Sequence, residues 1–158
     1  MKQNLKIKYV GDNILRDVAA PVTDKIAPEI ICAMSDILDD LSGVGLAAPQ
    51  VGIPARFFVM KMIETRGTDA PVSVIVNPEI ISMSDKTCVL DEGCLSVQGP
   101  DGNIFADVTR PETIVAAWTD ENGKKHKREL TGFCARIFQH EYDHLIGKLF
   151  IDYLSPTK

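Results

Sequence analysis

The chain has 158 residues, 45% of them hydrophobic, and its 22 acidic against 17 basic residues give a formal net charge of −5. That length can bury one continuous core and nothing argues for a second, so residues 1–158 are expected to form a single domain. The negative balance disfavours bulk attraction to nucleic acid or anionic lipid, no direct nucleic-acid motif is present, and greasy segments such as ARFFVMKMI fall well short of the roughly 20 residues of a membrane helix.

The N-terminal stretch MKQNLKIKYVGDNILRD has neither an apolar signal core nor an Arg-rich, acid-poor transit pattern, which points to the cytoplasm. In DKIAPEIICAMSDILDDLSG, Ile26, Ile30, Met34, Ile37, Leu38 and Leu41 recur at three- and four-residue intervals among carboxylates. That spacing predicts an amphipathic helix, capped by Thr23 or Asp24 and stopped by Gly43. Short strands are expected over 55–62, 72–76, 79–83, 87–89, 113–118 and 125–130, with Asn122-Gly123 making a hairpin of the last two. A second helix should start at Thr131 as cap and run to about Gly147, burying Phe133, Ile137, Phe138 and Leu145. The elements do not alternate as a doubly wound sheet requires, so the class is α+β with mostly antiparallel sheet. Of the four cysteines, Cys32 and Cys134 sit in apolar helical patterns and read as core, and Cys88 has no clear role. With no export signal, all four are expected to be reduced.

Three stretches carry chemistry. In QHEYDHLIG, His140 and His144 lie one helical turn apart on one face, so both rings can reach one metal ion, with Glu141 beside them as a general base. The same letters can arise by chance on a solvated helix, or belong to a metal site that is structural only. In DEGCLSVQG, Cys94 is flanked by Gly93 and Glu92 in a segment too irregular for a plain core strand, which makes it a candidate third ligand. Glu92 would orient a ligand or simply be an exposed strand-end carboxylate. In GVGLAAPQVG the glycines allow close backbone approach and Gln50 offers an amide donor, although the stretch could be no more than the turn after the first helix. Val44, Phe133 and Ile137 are candidates for an apolar pocket near the metal, and each could equally be core.

Taken together and in this order, GVGLAAPQ, EGCLS and QHEYDHLIG resemble the three signature motifs of the peptide deformylases, and ILRDVAAPV, NPEI, VTRP and GKLFIDYLS resemble the family too. The resemblance implies antiparallel sheets packed around a central C-terminal helix bearing HExxH. It implies an enzyme that removes the formyl group from N-formylmethionyl peptides. Cys94, His140 and His144 would bind one divalent metal, ferrous iron or zinc, nickel or cobalt in its place. Glu141 would carry protons, Gln50 and the Leu95 backbone amide would hold the oxyanion, and Gly45 would lie against the substrate backbone. The chain departs from the family pattern at Gln98, where many relatives have proline, and in a longer loop before VTR. It also ends at Lys158, without the basic extension through which many relatives contact the ribosome, so ribosome contact is expected to be weak. Two other readings are a zinc endopeptidase using Asp152 as third ligand and a non-enzymatic metal-stabilised module.

Overall fold

The computed structural model describes residues 4–154, so the ending at Lys158 lies outside the described residues. Two helices, α1 (Pro28–Asp40) and α2 (Gly132–Leu145), flank or follow seven strands: β1 (Gly45–Ala47), β2 (Phe57–Lys61), β3 (Val72–Met83), β4 (Thr87–Gly99), β5 (Gly102–Pro111), β6 (Thr113–Thr119) and β7 (Lys125–Thr131). They form a five-stranded sheet in the order β1-β2-β3-β6-β7 and a two-stranded sheet of β4 and β5. Every pairing between these strands is antiparallel, as the α+β reading expects. No helix among the described residues is long and apolar enough to cross a membrane.

Strand β2 from Phe57 to Met60 and β3 from Val74 to Val76 are apolar runs because both of their faces are covered there. Alternate side chains point to opposite faces, so Phe58, Met60 and Ile75 join Ile137, Phe138 and Leu145 of α2 in one cluster. Their neighbours Phe57, Val59, Val74 and Val76 join Met34 and Leu38 of α1 in another. A third, much smaller cluster of Cys94, Val97, Val108 and Phe150 lies under the β4–β5 sheet.

Several expectations are corrected. Helix α1 begins at Pro28 rather than after Thr23 or Asp24, because proline suits a first turn and holds the preceding Ala27 extended. Its left-handed end is Ser42 (φ 52°), not Gly43. Gly43 is needed instead for space, since a Cβ there would approach the Leu38 side chain at 2.8 Å. Cys32 is exposed, on the outer face of α1. The strands expected at 72–76 and 79–83 are one strand, interrupted where Asn77 (φ 48°) turns its amide onto the Val22 backbone. The strand at 87–89 continues to Gly99, and its partner β5 was not foreseen. The stretch read as a longer loop before VTR is instead mostly strand, with only Pro100 and Asp101 between β4 and β5, and Gln98 Nε2 donates across the turn to Asn103 Oδ1 at 2.6 Å. Thr131 takes the N-cap position of α2, but its side chain caps nothing there. The Phe133 amide donates to Glu64 O instead, and Phe133 is only half-buried.

Phe138 is fully buried, 5.2 Å edge-on from Phe58 and 5.8 Å from Trp118. Phe138→Ala should cost about 3–5 kcal/mol, whereas Met83→Ala, at a side chain 56% exposed, should stay within about 0.5 kcal/mol. Urea unfolding of both variants checks this, and similar shifts in midpoint would contradict the placement of the core.

Candidate active site

Strand β4 leaves its ladder where the chemistry begins. Gly93 pairs with Phe105 and Gln98 pairs with Asn103, so Cys94, Leu95, Ser96 and Val97 stand opposite Ile104 alone. The bulge turns this segment towards α2, as extra residues in one strand do. Cys94 Sγ thereby comes to 3.4 Å from His144 Nε2. One donor atom from each of Cys94, His140 and His144 lies within 4.8 Å of the others, and the two imidazoles stand nearly edge to face at 71°.

The surroundings orient each group. Glu92 Oε1 lies 2.8 Å from His140 Nδ1, which leaves Nε2 as the nitrogen free for an ion. The Glu92 carboxylate, only 5% exposed, also accepts from Arg110 Nε at 2.6 Å and Arg136 Nη1 at 2.7 Å. Burial opposes its charge, yet the bonds from His140 and Arg110 hold its pKa well below the ordinary carboxylate range. Arg110 continues to Asp143 Oδ2 at 2.8 Å, and the Tyr153 hydroxyl donates to the same oxygen at 2.7 Å. Burial likewise opposes charge on His140, but the bonds to Cys94 and Glu92 outweigh it and raise the pKa well above the usual imidazole value. The potential at that ring therefore favours a cation. His144 is pushed the other way, by burial first and then by His140.

Gln50, from a short 3-10 helix over Ala48–Val51, is buried with its orientation set by its neighbours. Its Oε1 accepts from the Ala47 amide at 2.9 Å, while Nε2 donates to Ser96 Oγ at 3.1 Å and reaches Cys94 Sγ at 3.4 Å. Glu141 Oε2 is buried without a hydrogen-bond partner among the described residues. Burial pushes the Glu141 carboxyl up to about 7, against the pull of His140. Its room comes from Gly45, where a Cβ would lie 2.7 Å from Glu141 Oε1.

Of the residues singled out from sequence, Val44, Gly45, Gln50, Cys94, Leu95, Phe133, Ile137, His140 and Glu141 line one cleft of about 340 Å3. His144 stands behind Cys94, and Ile137 is buried while Val44 and Phe133 are half-buried. Glu92 is the orienting group of its two readings, not an exposed strand end. Sequence reasoning missed Arg110 and Arg136. Arg136 lies four residues before His140, on the same helix face, and that spacing was the available signal. Asp152, the carboxylate an endopeptidase reading would need, is committed to Arg16 and to the Leu149 amide.

One thiolate and two imidazoles are a donor set for iron, zinc, nickel or cobalt rather than for magnesium or calcium. The carboxylate on His140 is the outer partner such ligands usually have. Three protein donors beside an open cleft and a buried carboxylate define the class of metal-dependent hydrolases.

The family model for polypeptide deformylase matches residues 4–158. The peptide deformylase of Thermotoga maritima is 43% identical over 155 residues, covering 97% of this chain and 88% of that protein. A crystal structure of the Thermotoga maritima enzyme superposes with a TM-score of 0.86 at 40% identity, over 98% of this chain and 99% of that one. The Met-Ala-Ser-bound class I type b peptide deformylase of Acinetobacter baumannii gives a TM-score of 0.86 at 34% identity, over 98% of this chain and all (100%) of that one. The chain belongs to the polypeptide deformylase family, whose members are metal-dependent hydrolases that remove the formyl group from N-formylmethionyl peptides.

The close approach at Gly45 yields a test. Gly45→Ala should leave the circular dichroism spectrum intact while displacing the Glu141 carboxylate, and a displacement of about 1 Å can lower turnover roughly 100-fold. Unchanged deformylation by this variant would show that Glu141 does not need that space.

Proposed function

We propose that residues 1–158 form one catalytic domain in which Cys94, His140 and His144 hold a single divalent metal, natively ferrous iron, and Glu141 carries the protons of deformylation. The observation that carries this reading is that Cys94, His140 and Glu141 line one cleft while one donor atom from each of Cys94, His140 and His144 lies within 4.8 Å of the others. Zinc, nickel or cobalt suits the same donors. When bound, such a cation supplies Lewis acidity, polarising the formyl carbonyl and making water a stronger nucleophile near neutral pH.

The protein's own groups do the rest. Strand β1 lies at the edge of the five-stranded sheet, so an extended peptide can pair along it with its backbone against Gly45. The Val44, Phe133 and Ile137 side chains offer an apolar pocket for the methionine side chain. The Acinetobacter enzyme of the same fold has been solved bound to Met-Ala-Ser, which supports a short peptide as the kind of ligand taken here. Glu141 takes a proton from the attacking water, whose oxygen bonds to the formyl carbon. The same carboxyl then gives the proton to the amine nitrogen as the C–N bond breaks, releasing formate. A side chain with its pKa near neutrality suits both transfers. The oxygen that gains charge accepts from Gln50 Nε2 and from the Leu95 amide, which the bulge of β4 takes out of the ladder. The hydrogen that Gln50 directs at Cys94 Sγ, over 3.4 Å, makes the weaker of its two bonds and is the one an oxyanion in the cleft would share.

Formylmethionyl peptides arise where translation occurs, which supports a cytoplasmic enzyme. The net charge of −5 supports at most weak contact with the ribosome.

Formyl-Met-Ala-Ser should be cleaved well and acetyl-Met-Ala-Ser far more slowly, because one misplaced methyl moves the carbonyl out of attack geometry. Internal bonds of a longer unformylated peptide should stay intact, and mass spectrometry that found internal fragments would favour an endopeptidase. Glu141→Gln should keep its metal and lose most turnover, and near wild-type rates would remove Glu141 from the mechanism. The iron form should lose activity in air as metal and Cys94 oxidise while the nickel form persists, and equal air stability counts against iron.

A further inference from the structure

The connection between β2 and β3 sends one side chain across the end of the cleft. Arg66 places its guanidinium 5.1 Å over the Phe133 ring, donates from Nη1 to Asp91 Oδ1 at 2.5 Å, and donates from Nη2 to the Asp91 carbonyl at 2.7 Å. Arg66, Asp91 and Phe133 all line the cleft. The same connection is docked on the first turn of α2, where the Phe133 amide donates to Glu64 O at 3.3 Å. One residue therefore joins three elements at the outer end of the apolar pocket and presents a cation there.

Both partners of this ion pair are about half exposed, Arg66 at 50% and Asp91 at 49%. An exposed pair of this kind adds little to stability. Nor does the fold need it, since the adjoining core is closed by Ile137, Phe138 and Trp118. A costly long side chain held over an aromatic ring by two hydrogen bonds, at the mouth of the cleft, has a clearer use as a wall.

The geometry points to Arg66 as a specificity-determining residue: seated on Phe133 and clamped to Asp91, it closes the outer end of the side-chain pocket and repels side chains that bring positive charge to that end. This rests on the cleft being the site of deformylation. A thioether or hydrocarbon tip meets the guanidinium without penalty, whereas an ammonium at the end of a lysine-length chain meets a like charge.

The test uses the metal-loaded enzyme and three formyl tripeptides, formyl-X-Ala-Ser, with X norleucine, lysine or 2-aminoadipate. These have similar reach and tips that are neutral, positive and negative. The measured quantity is the lysine to aminoadipate ratio of kcat/KM, with norleucine as the uncharged reference. Arg66→Met should raise that ratio about tenfold and Arg66→Glu about a hundredfold, the change falling mainly in KM, as expected for charges about 6 Å apart near a surface. Asp91→Asn unmasks the guanidinium and should move the ratio in the opposite direction. High salt should narrow the wild-type discrimination. A ratio within twofold of wild type in all three folded variants would overturn the proposal and leave Arg66 a surface clamp. Failure of the wild-type enzyme on formyl-Met-Ala-Ser has a different signature, and it removes the reading of the cleft itself together with this one.

Discussion

The Glu92 carboxylate holds the site together. Two guanidinium groups and one imidazole converge on its two oxygens, from β5 and α2, at a position almost closed to water. Buried charge is tolerated only when it is paired and fully bonded, and removing one partner from such a group typically costs about 3–5 kcal/mol. Here Glu92 and Asp143 balance Arg110 and Arg136, so the cluster has no large excess charge apart from the imidazoles. The cluster also decides where the two-stranded sheet sits. The apolar contacts beneath β4 and β5 come from only a few side chains around Val108 and Phe150, so the ionic seam does much of the locating.

The bulge in β4 serves two ends with one distortion. It brings the Cys94 sulfur out of the sheet towards α2, and it releases the following amides from strand pairing. A regular strand could do neither, because its donors would be spent on the ladder and its side chains would alternate between faces. Gln50 then locks the bulge from the other side through Ser96 Oγ, tying the orientation of a proposed oxyanion donor to the segment that bears Cys94.

The parts legible in the sequence were those with strong local periodicity or strong local chemistry. Helix α2 and the β6–β7 hairpin could be read because a periodic apolar face and an Asn-Gly turn are local signals. Strand β5 was missed because its side chains from Gly102 to Phe105 are exposed and show no alternation. The start of α1 was misjudged because apolar spacing continues upstream of Pro28, which the backbone does not follow. Arg110 was invisible as a site residue for a different reason, and Arg136 was marked only by its helical spacing from His140. Their partner Glu92 is 18 residues from one and 44 from the other, and only tertiary structure brings them together.

The donor set also has an order in time. His140 and His144 become neighbours as soon as α2 forms, whereas Cys94, fifty residues from His144, joins them only after the β4–β5 hairpin has docked. Helical turns form in about a microsecond or less, and pairing of distant segments is far slower because the intervening loop must first be closed. A chain on its way to the native state therefore displays a two-histidine hook before it owns a thiolate. With the proposed ligands, selective metal capture would therefore wait on docking of the hairpin, which brings the Cys94 sulfur to the two imidazoles.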